Sequence, residues 1–104
     1  MLPRGFSYEE FLSRGNIILQ DEDDFVILER LTDRVYSWHY VFVSRGSLAM
    51  KKASLFLKEA LSLVPVIIGI VPEGRREVTI MSRKLGFRPL EGSCLYITKE
   101  MENG

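Results

Sequence analysis

Residues Val41–Leu61 read VFVSRGSLAMKKASLFLKEAL, and the order of apolar and polar positions in this stretch decides the fold. The first residues are apolar and β-branched, which is typical of a strand. After the basic turn at Arg45 and Gly46, apolar residues recur at spacings of three and four, which predicts an amphipathic helix from Leu48 to Leu63. A strand, a short turn and a helix form the arrangement in which helix N-terminal amides can hold a phosphate.

The segments before this stretch predict a short helix and an antiparallel meander. The helix runs from Ser7 to about Arg14. The apolar runs Asn16–Gln20 and Phe25–Thr32 flank an acidic turn, DEDD, and predict a hairpin. Residues Val35–Val43, VYSWHYVFV, predict a third strand. Because both faces of that strand carry apolar residues, we expect it to be covered on both sides.

The segments after the helix predict a parallel strand, a second helix and a last strand. The all-apolar run Val66–Val71 follows Pro65, and a strand–helix–strand unit favours parallel pairing with the strand that ends at Val43. The second helix is predicted to close on Gly86. The last strand is predicted within Ser93–Met101.

These elements predict one α/β (α+β) domain. The expected architecture is a mixed, mainly antiparallel sheet in the order α-β-β-β-α-β-α-β, with helices on both faces. The domain is expected to span residues 1–104, with an N-terminal helix segment at 1–14, the sheet and helices at 15–99, and a frayed tail at 100–104.

Composition narrows the class of protein. Fourteen basic and fourteen acidic residues cancel, so no overall charge favours a nucleic acid or an anionic membrane. The single cysteine, Cys94, excludes an internal disulfide and a cysteine-based zinc cluster, and no metal site is predicted. No apolar run is long enough to span a membrane, and no signal peptide is evident, which favours a cytoplasmic protein. Whether two copies form a homodimer stays open.

Basic residues gather at two places. Arg45, Lys51 and Lys52 lie around the start of the first long helix, where cations oppose the helix dipole unless an anion lies nearby. Solvated lysines on a tolerant surface are the alternative. Arg75, Arg76, Arg83 and Lys84 form the second group, which is either a solvated face or a local anion site.

The C-terminal third, VPEGRREVTIMSRKLGFRPLEG, resembles the GNAT superfamily of acetyl-CoA-dependent N-acyltransferases. Residues Lys84–Phe87, KLGF, match the family's signature at the end of this helix, and Arg45 with Gly46 match the start of its coenzyme motif. The resemblance implies a short GNAT-like fold, acetyl-CoA as cosubstrate and an amine acceptor. In its small size the chain is similar in type to phage-encoded GNAT-like proteins.

The resemblance also implies site residues. It assigns coenzyme binding to the end of the third strand and the start of the helix, at Val41, Val43, Arg45, Gly46, Ser47 and Lys51. The family's two further glycines are replaced by Leu48 and Met50, and we expect these side chains to be packed into the coenzyme cleft.

Three residues are candidates for catalysis. The resemblance implies a general base on the acceptor side, for which His39, the only histidine, and Glu29 on the neighbouring strand are rivals. Ser82 stands where many members carry the tyrosine that protonates the departing thiolate. Because serine is a far weaker acid, the alternative is an inactive GNAT-fold binding or structural protein that has lost the coenzyme site.

Overall fold

A computed structural model of the chain describes residues 8–71, 73–92 and 94–103, with the side chains of residues 8, 102 and 103 left out. Four helices and six strands are described within these ranges. In chain order they are α1 (Tyr8–Ser13), β1 (Ile17–Asp21), β2 (Asp24–Arg30), β3 (Val35–Val41), α2 (Gly46–Leu63), β4 (Val66–Ile70), α3 (Arg76–Lys84), β5 (Arg88–Pro89), β6 (Cys94–Thr98) and α4 (Lys99–Asn103). Ser7, the predicted start of the first helix, lies outside the described residues. None of the described helices is both long and apolar enough to cross a membrane.

The six strands form one sheet in the order β1-β2-β3-β4-β6-β5. Every neighbouring pair is antiparallel except β3 and β4, which are parallel and joined by α2. This confirms the predicted mixed, mainly antiparallel sheet and the predicted parallel pair. A parallel pair needs a crossover connection, which α2 supplies, because a tight turn can join only antiparallel neighbours.

The core lies between α2 and one face of the sheet. Helix α2 buries five residues spaced three and four apart, and these are Ala53, Phe56, Leu57, Ala60 and Leu61. The facing strands supply alternating apolar residues, among them Val26, Leu28, Trp38, Ile67 and Ile97. Trp38 is 9% exposed and meets Phe87 edge to face, with ring centroids 6.2 Å apart. Trp38 is therefore part of the core.

The expectation that β3 is covered on both faces is wrong for its second half. Ser37 is buried, but His39 is exposed and Val41 is 46% exposed on the same face. Val43 lies beyond the end of the strand and is 62% exposed. The reason is that β3 extends past its parallel partner, so its end lacks a neighbouring strand on that side.

The end of the chain differs from its predicted form. The last strand stops at Thr98, and α4 follows where the sequence predicts the end of a strand and a frayed tail. The Thr98 hydroxyl accepts a hydrogen bond from the Met101 amide at 3.3 Å, as helix-capping residues do. Met101 packs against the core, and the Lys99 amide donates to the carbonyl of Pro65. The short strand β5 was not predicted from the sequence.

The predicted glycine cap of α3 is confirmed. Gly86 has φ +107°, and Phe87 beyond it is buried. The Phe87 amide donates to the Ser82 carbonyl at 3.0 Å, and the Gly86 amide donates to the Arg83 carbonyl at 3.1 Å. These two bonds form a Schellman motif, which turns the chain back so that Phe87 enters the core.

Substituting Gly86 with alanine should lower the free energy of unfolding by about 1 kcal/mol or more. The left-handed backbone opposes a Cβ, and that Cβ would lie 3.3 Å from Cδ1 of Ile97. Thermal and urea unfolding of Gly86→Ala measure the loss. Gly74→Ala is a matched control, since Gly74 also has positive φ but has no heavy atom within 4 Å of an added Cβ. An unchanged melting temperature for Gly86→Ala would contradict the assigned cap.

Candidate functional site

A cleft opens where β3 and β4 part. Their pairing covers three residue pairs, from Val35–Val66 to Ser37–Ile68, after which β3 continues without β4. The cavity that begins at this point has a volume of about 260 Å³. It is lined by the second half of β3, the end of β4 and the start of α3, at Trp38, His39, Tyr40, Ile70, Arg75 and Val78. The site is therefore made of apolar and aromatic walls with one imidazole and one guanidinium.

His39 lines the cleft and can accept or donate a proton. Its side chain is exposed, and its Nε2 lies 2.9 Å from the hydroxyl oxygen of the buried Ser37. In the tautomer in which Nε2–H donates to Ser37, Nδ1 keeps a lone pair that can accept a proton. The arrangement leaves one ring nitrogen for a ligand and uses the other to fix the ring.

The other two catalytic candidates lie outside the cleft lining. Glu29 is exposed on β2 and stands directly opposite Ser37, on the same face of the sheet as His39. Ser82 is half-buried on α3. The geometry brings one of the three predicted catalytic residues, His39, to the cavity.

The start of α2 follows the end of β3 in the chain, and its first backbone amides are free to donate hydrogen bonds. Helix α2 begins at Gly46, whose φ of +62° is a left-handed conformation that favours glycine. Arg45 is the N-cap residue and makes no side-chain cap bond. The first amides of a helix have no intrahelical acceptor, so those of Gly46, Ser47 and Leu48 need an outside partner. Arg45, Ser47 and Lys51 are exposed around them.

Leu48 and Met50 do not fill the cleft, so the expectation for them is wrong. Leu48 is 53% exposed, Met50 is half-buried, and neither lines the cavity between β3 and β4. Both side chains project from the first two turns of α2, and Leu48 lies off the face that this helix buries against the sheet.

A buried carboxylate fastens the loop before α2. Asp24 is 0% exposed at the start of β2. Its Oδ1 accepts hydrogen bonds from the Val43 amide at 2.6 Å and from the Ser44 amide at 3.0 Å. Its Oδ2 accepts the Ser44 hydroxyl and, at 2.9 Å, the ammonium of Lys52. These bonds hold the pKa of the Asp24 carboxyl far below its usual range, with the Ser44 hydroxyl as the largest cause.

The ammonium of Lys52 forms ion pairs with the acidic turn. Its ammonium lies 2.9 Å from Asp24 and 3.3 Å from both Asp21 and Glu22. Its side chain is 12% exposed, and its pKa is raised, chiefly by the hydrogen bond to Asp24. Lys52 is therefore not available as a cation for a ligand, although the sequence grouped it with Arg45 and Lys51. In the part of the chain that the structure describes, those two residues form no ion pair.

The second basic group surrounds the start of α3. Arg75 lines the cleft and also a second groove, of about 350 Å³, which Arg76, Thr79 and Arg83 share. Arg75 donates a hydrogen bond to the carboxylate of Glu77. The structure thus brings three arginines of this group to one groove.

Comparisons with known proteins agree on the fold. No protein-family model and no curated protein matches the sequence. Among solved structures, an acetyltransferase of the GNAT family from Bacillus anthracis matches with a TM-score of 0.62, at 16% identity over 74% of this chain and 58% of that one. The chain has the GNAT fold. A chimeric spermidine N-acetyltransferase, SpeG from Vibrio cholerae and hSSAT, matches with a TM-score of 0.65, at 12% identity over 93% of this chain and 75% of that one. The GNAT-fold chain thus spans somewhat more than half the length of the Bacillus anthracis protein.

Proposed function

We propose that the protein is an acetyl-CoA-dependent N-acetyltransferase that acts on an amine. The observations that carry this proposal are the parting of β3 and β4 and the uncapped start of α2, which follows the end of β3 in the chain. A cleft of this form admits a narrow chain, while free helix amides and exposed cations suit a pyrophosphate. The two solved structures of the same fold are both acetyltransferases, which supports acetyl-CoA as the ligand.

The coenzyme would bind along the end of β3 and the start of α2. Val41 leaves the strand edge open, because β4 no longer pairs there, whereas the amide of Val43 donates to Asp24 and is not available to a ligand. The amides of Gly46 and Ser47 would hold the pyrophosphate, and Arg45 and Lys51 would add charge from the rim. The acyl chain would then extend into the cleft.

His39 would act as the general base in the cleft. It would take a proton from the acceptor amine as the amine nitrogen bonds to the acetyl carbonyl carbon and the carbon–sulfur bond breaks. The departing thiolate takes up a proton, directly from His39 or through water, so that the products are an acetamide and a coenzyme thiol and His39 returns to its neutral form. The departing thiolate is a modest base, with an ordinary thiol pKa of about 8.5, so it can leave without a strong acid at the position of Ser82.

The second candidate is an inactive protein of the same fold. Leu48 and Met50 in place of glycines, and Ser82 in place of the tyrosine, favour it. Against it, Leu48 is largely exposed and neither of the two side chains lines the cleft. An inactive protein could still bind the coenzyme, so affinity and activity have to be measured separately.

Removing the rim charges should weaken coenzyme binding. We expect the Arg45→Gln/Lys51→Gln double variant to bind CoA about tenfold more weakly, because two exposed charge contacts are each worth up to about 1 kcal/mol. The measurement is isothermal titration at low and at physiological salt. Lys58→Gln is the matched control, since Lys58 is exposed on α2 far from its start. Equal affinities for the parent and the double variant would contradict this placement of the pyrophosphate.

A further inference from the structure

Two amides of the loop before α2 point inward, at a single carboxylate oxygen. The Val43 and Ser44 amides both donate to Oδ1 of Asp24, at 2.6 and 3.0 Å. The other oxygen takes the Ser44 hydroxyl and the Lys52 ammonium. Both oxygens of the fully buried Asp24 carboxylate therefore accept hydrogen bonds from residues 43–44 and from α2.

The amides that follow are left for an outside partner. Arg45 has extended backbone, with φ −129° and ψ 161°, and Gly46 then turns the chain with positive φ into the helix. No side chain caps the N-terminus. The loop therefore has an inner pair of amides bound to the protein's own anion and an outer set at the start of α2.

We propose that Asp24 is a positioning residue for the coenzyme site, an internal anion that presets the amides at the start of α2 for a pyrophosphate. This inference rests on the proposed function. Asp24 touches no ligand in this account. It acts through Val43 and Ser44, which it holds in place, and through Lys52, which ties the same carboxylate to the second turn of the helix.

The physical basis is preorganisation. A loop that is free to move must be ordered when the ligand binds, and that ordering reduces affinity. Asp24 fixes both sides of the turn at Arg45 and Gly46, since it bonds to the loop before the turn and to Lys52 after it. Lys52 and the inner amides also neutralise the carboxylate, so that the negative charge does not face the phosphate site directly.

The test compares CoA with pantetheine, which carries the same thiol arm but lacks the pyrophosphate and the 3′-phosphoadenosine. Both can be titrated by calorimetry and by the fluorescence of Trp38, the only tryptophan, which lines the cleft. The variants are Asp24→Asn, and Ser44→Ala as a milder change that keeps the carboxylate. Ser54→Ala, at an exposed position on α2, is the control.

We expect both variants to bind CoA about tenfold more weakly and to bind pantetheine with unchanged affinity. The reason is that each substitution disturbs the amides at the start of α2, which would contact only the pyrophosphate. The control should match the parent for both ligands. An equal loss for both ligands would overturn the proposal, since it would show a general loss of structure. Unchanged or tighter CoA binding would also overturn it, and the tighter result would identify Asp24 as a competitor of the phosphate. A parent that binds neither ligand would refute the proposed function and this inference together, whereas unaffected variants of a binding parent would refute this inference alone.

Discussion

Replacing Asp24 with alanine should lower the melting temperature by more than about 10 °C. The substitution leaves the amides of Val43 and Ser44 and the ammonium of Lys52 without their shared acceptor in a fully buried position. Loss of one partner from a buried charge network costs far more than loss of an exposed pair. Asp23→Ala is the matched control, because Asp23 is exposed in the same acidic turn. A melting temperature of Asp24→Ala within about 2 °C of the control would contradict the assigned network.

The same network fixes the sign of the pH dependence. The pKa of Asp24 is depressed in the folded protein, so its stabilisation is complete above the ordinary carboxyl pKa of about 4 and is lost as the pH falls below that value. The pKa of Lys52 is raised, so its stabilisation is complete below about pH 10 and is lost as the pH rises further. Between about pH 4 and pH 10 the network contributes fully to the free energy of unfolding. Thermal unfolding of Ser44→Ala and the parent between pH 2 and pH 5 would show the acid limb, which should be weaker in the variant.

Substituting His39 with alanine should reduce kcat/KM for amine acetylation by about 10²–10⁴-fold. His39 is the ionisable base that lines the cleft, and Ser37 fixes its ring. CoA affinity should change little, because the proposed pyrophosphate contacts lie at the start of α2. The measurement is thiol release from acetyl-CoA in the presence of a panel of amines, together with the pH–rate profile.

A comparison with Glu29→Gln decides between the two bases. Glu29 does not line the cleft, so its variant should keep the acid limb of the pH–rate profile, whereas His39→Ala should lose it. The reverse pattern would assign the base to Glu29 and contradict the role of His39.

Local pattern predicted the elements that position the site. The helical spacing after Gly46 and the KLGF ending of α3 each depend on neighbours within a few residues, and the predicted ends of both helices, at Leu63 and before Gly86, are confirmed. The start of α2 was misplaced by two residues, because apolar spacing locates Leu48 but does not reveal the left-handed turn at Gly46. The wrong expectation for Leu48 and Met50 came instead from the family's glycine positions, which do not show where the side chains of this helix point.

Long-range contacts account for what the sequence could not show. Asp24 lies in an acidic turn that reads as a solvated surface, and its partners Ser44 and Lys52 are 20 and 28 residues away. The acidic turn and the basic residues at the start of α2 are both visible in the sequence. The ion pair between Asp24 and Lys52, however, depends on how β2 packs against α2. The cleft was expected from the family resemblance but from no local motif, because it depends on where the β3–β4 pairing ends.

Isothermal titration of the unmodified protein with CoA and with acetyl-CoA measures whether the coenzyme site exists. We expect both ligands to bind with a Kd in the micromolar range, which corresponds to a binding free energy of about 7–8 kcal/mol. We also expect the affinity to fall as salt is raised, because the pyrophosphate is held partly by the exposed charges of Arg45 and Lys51. Absence of binding at millimolar coenzyme would contradict the proposed function and leave an inactive protein with the GNAT fold.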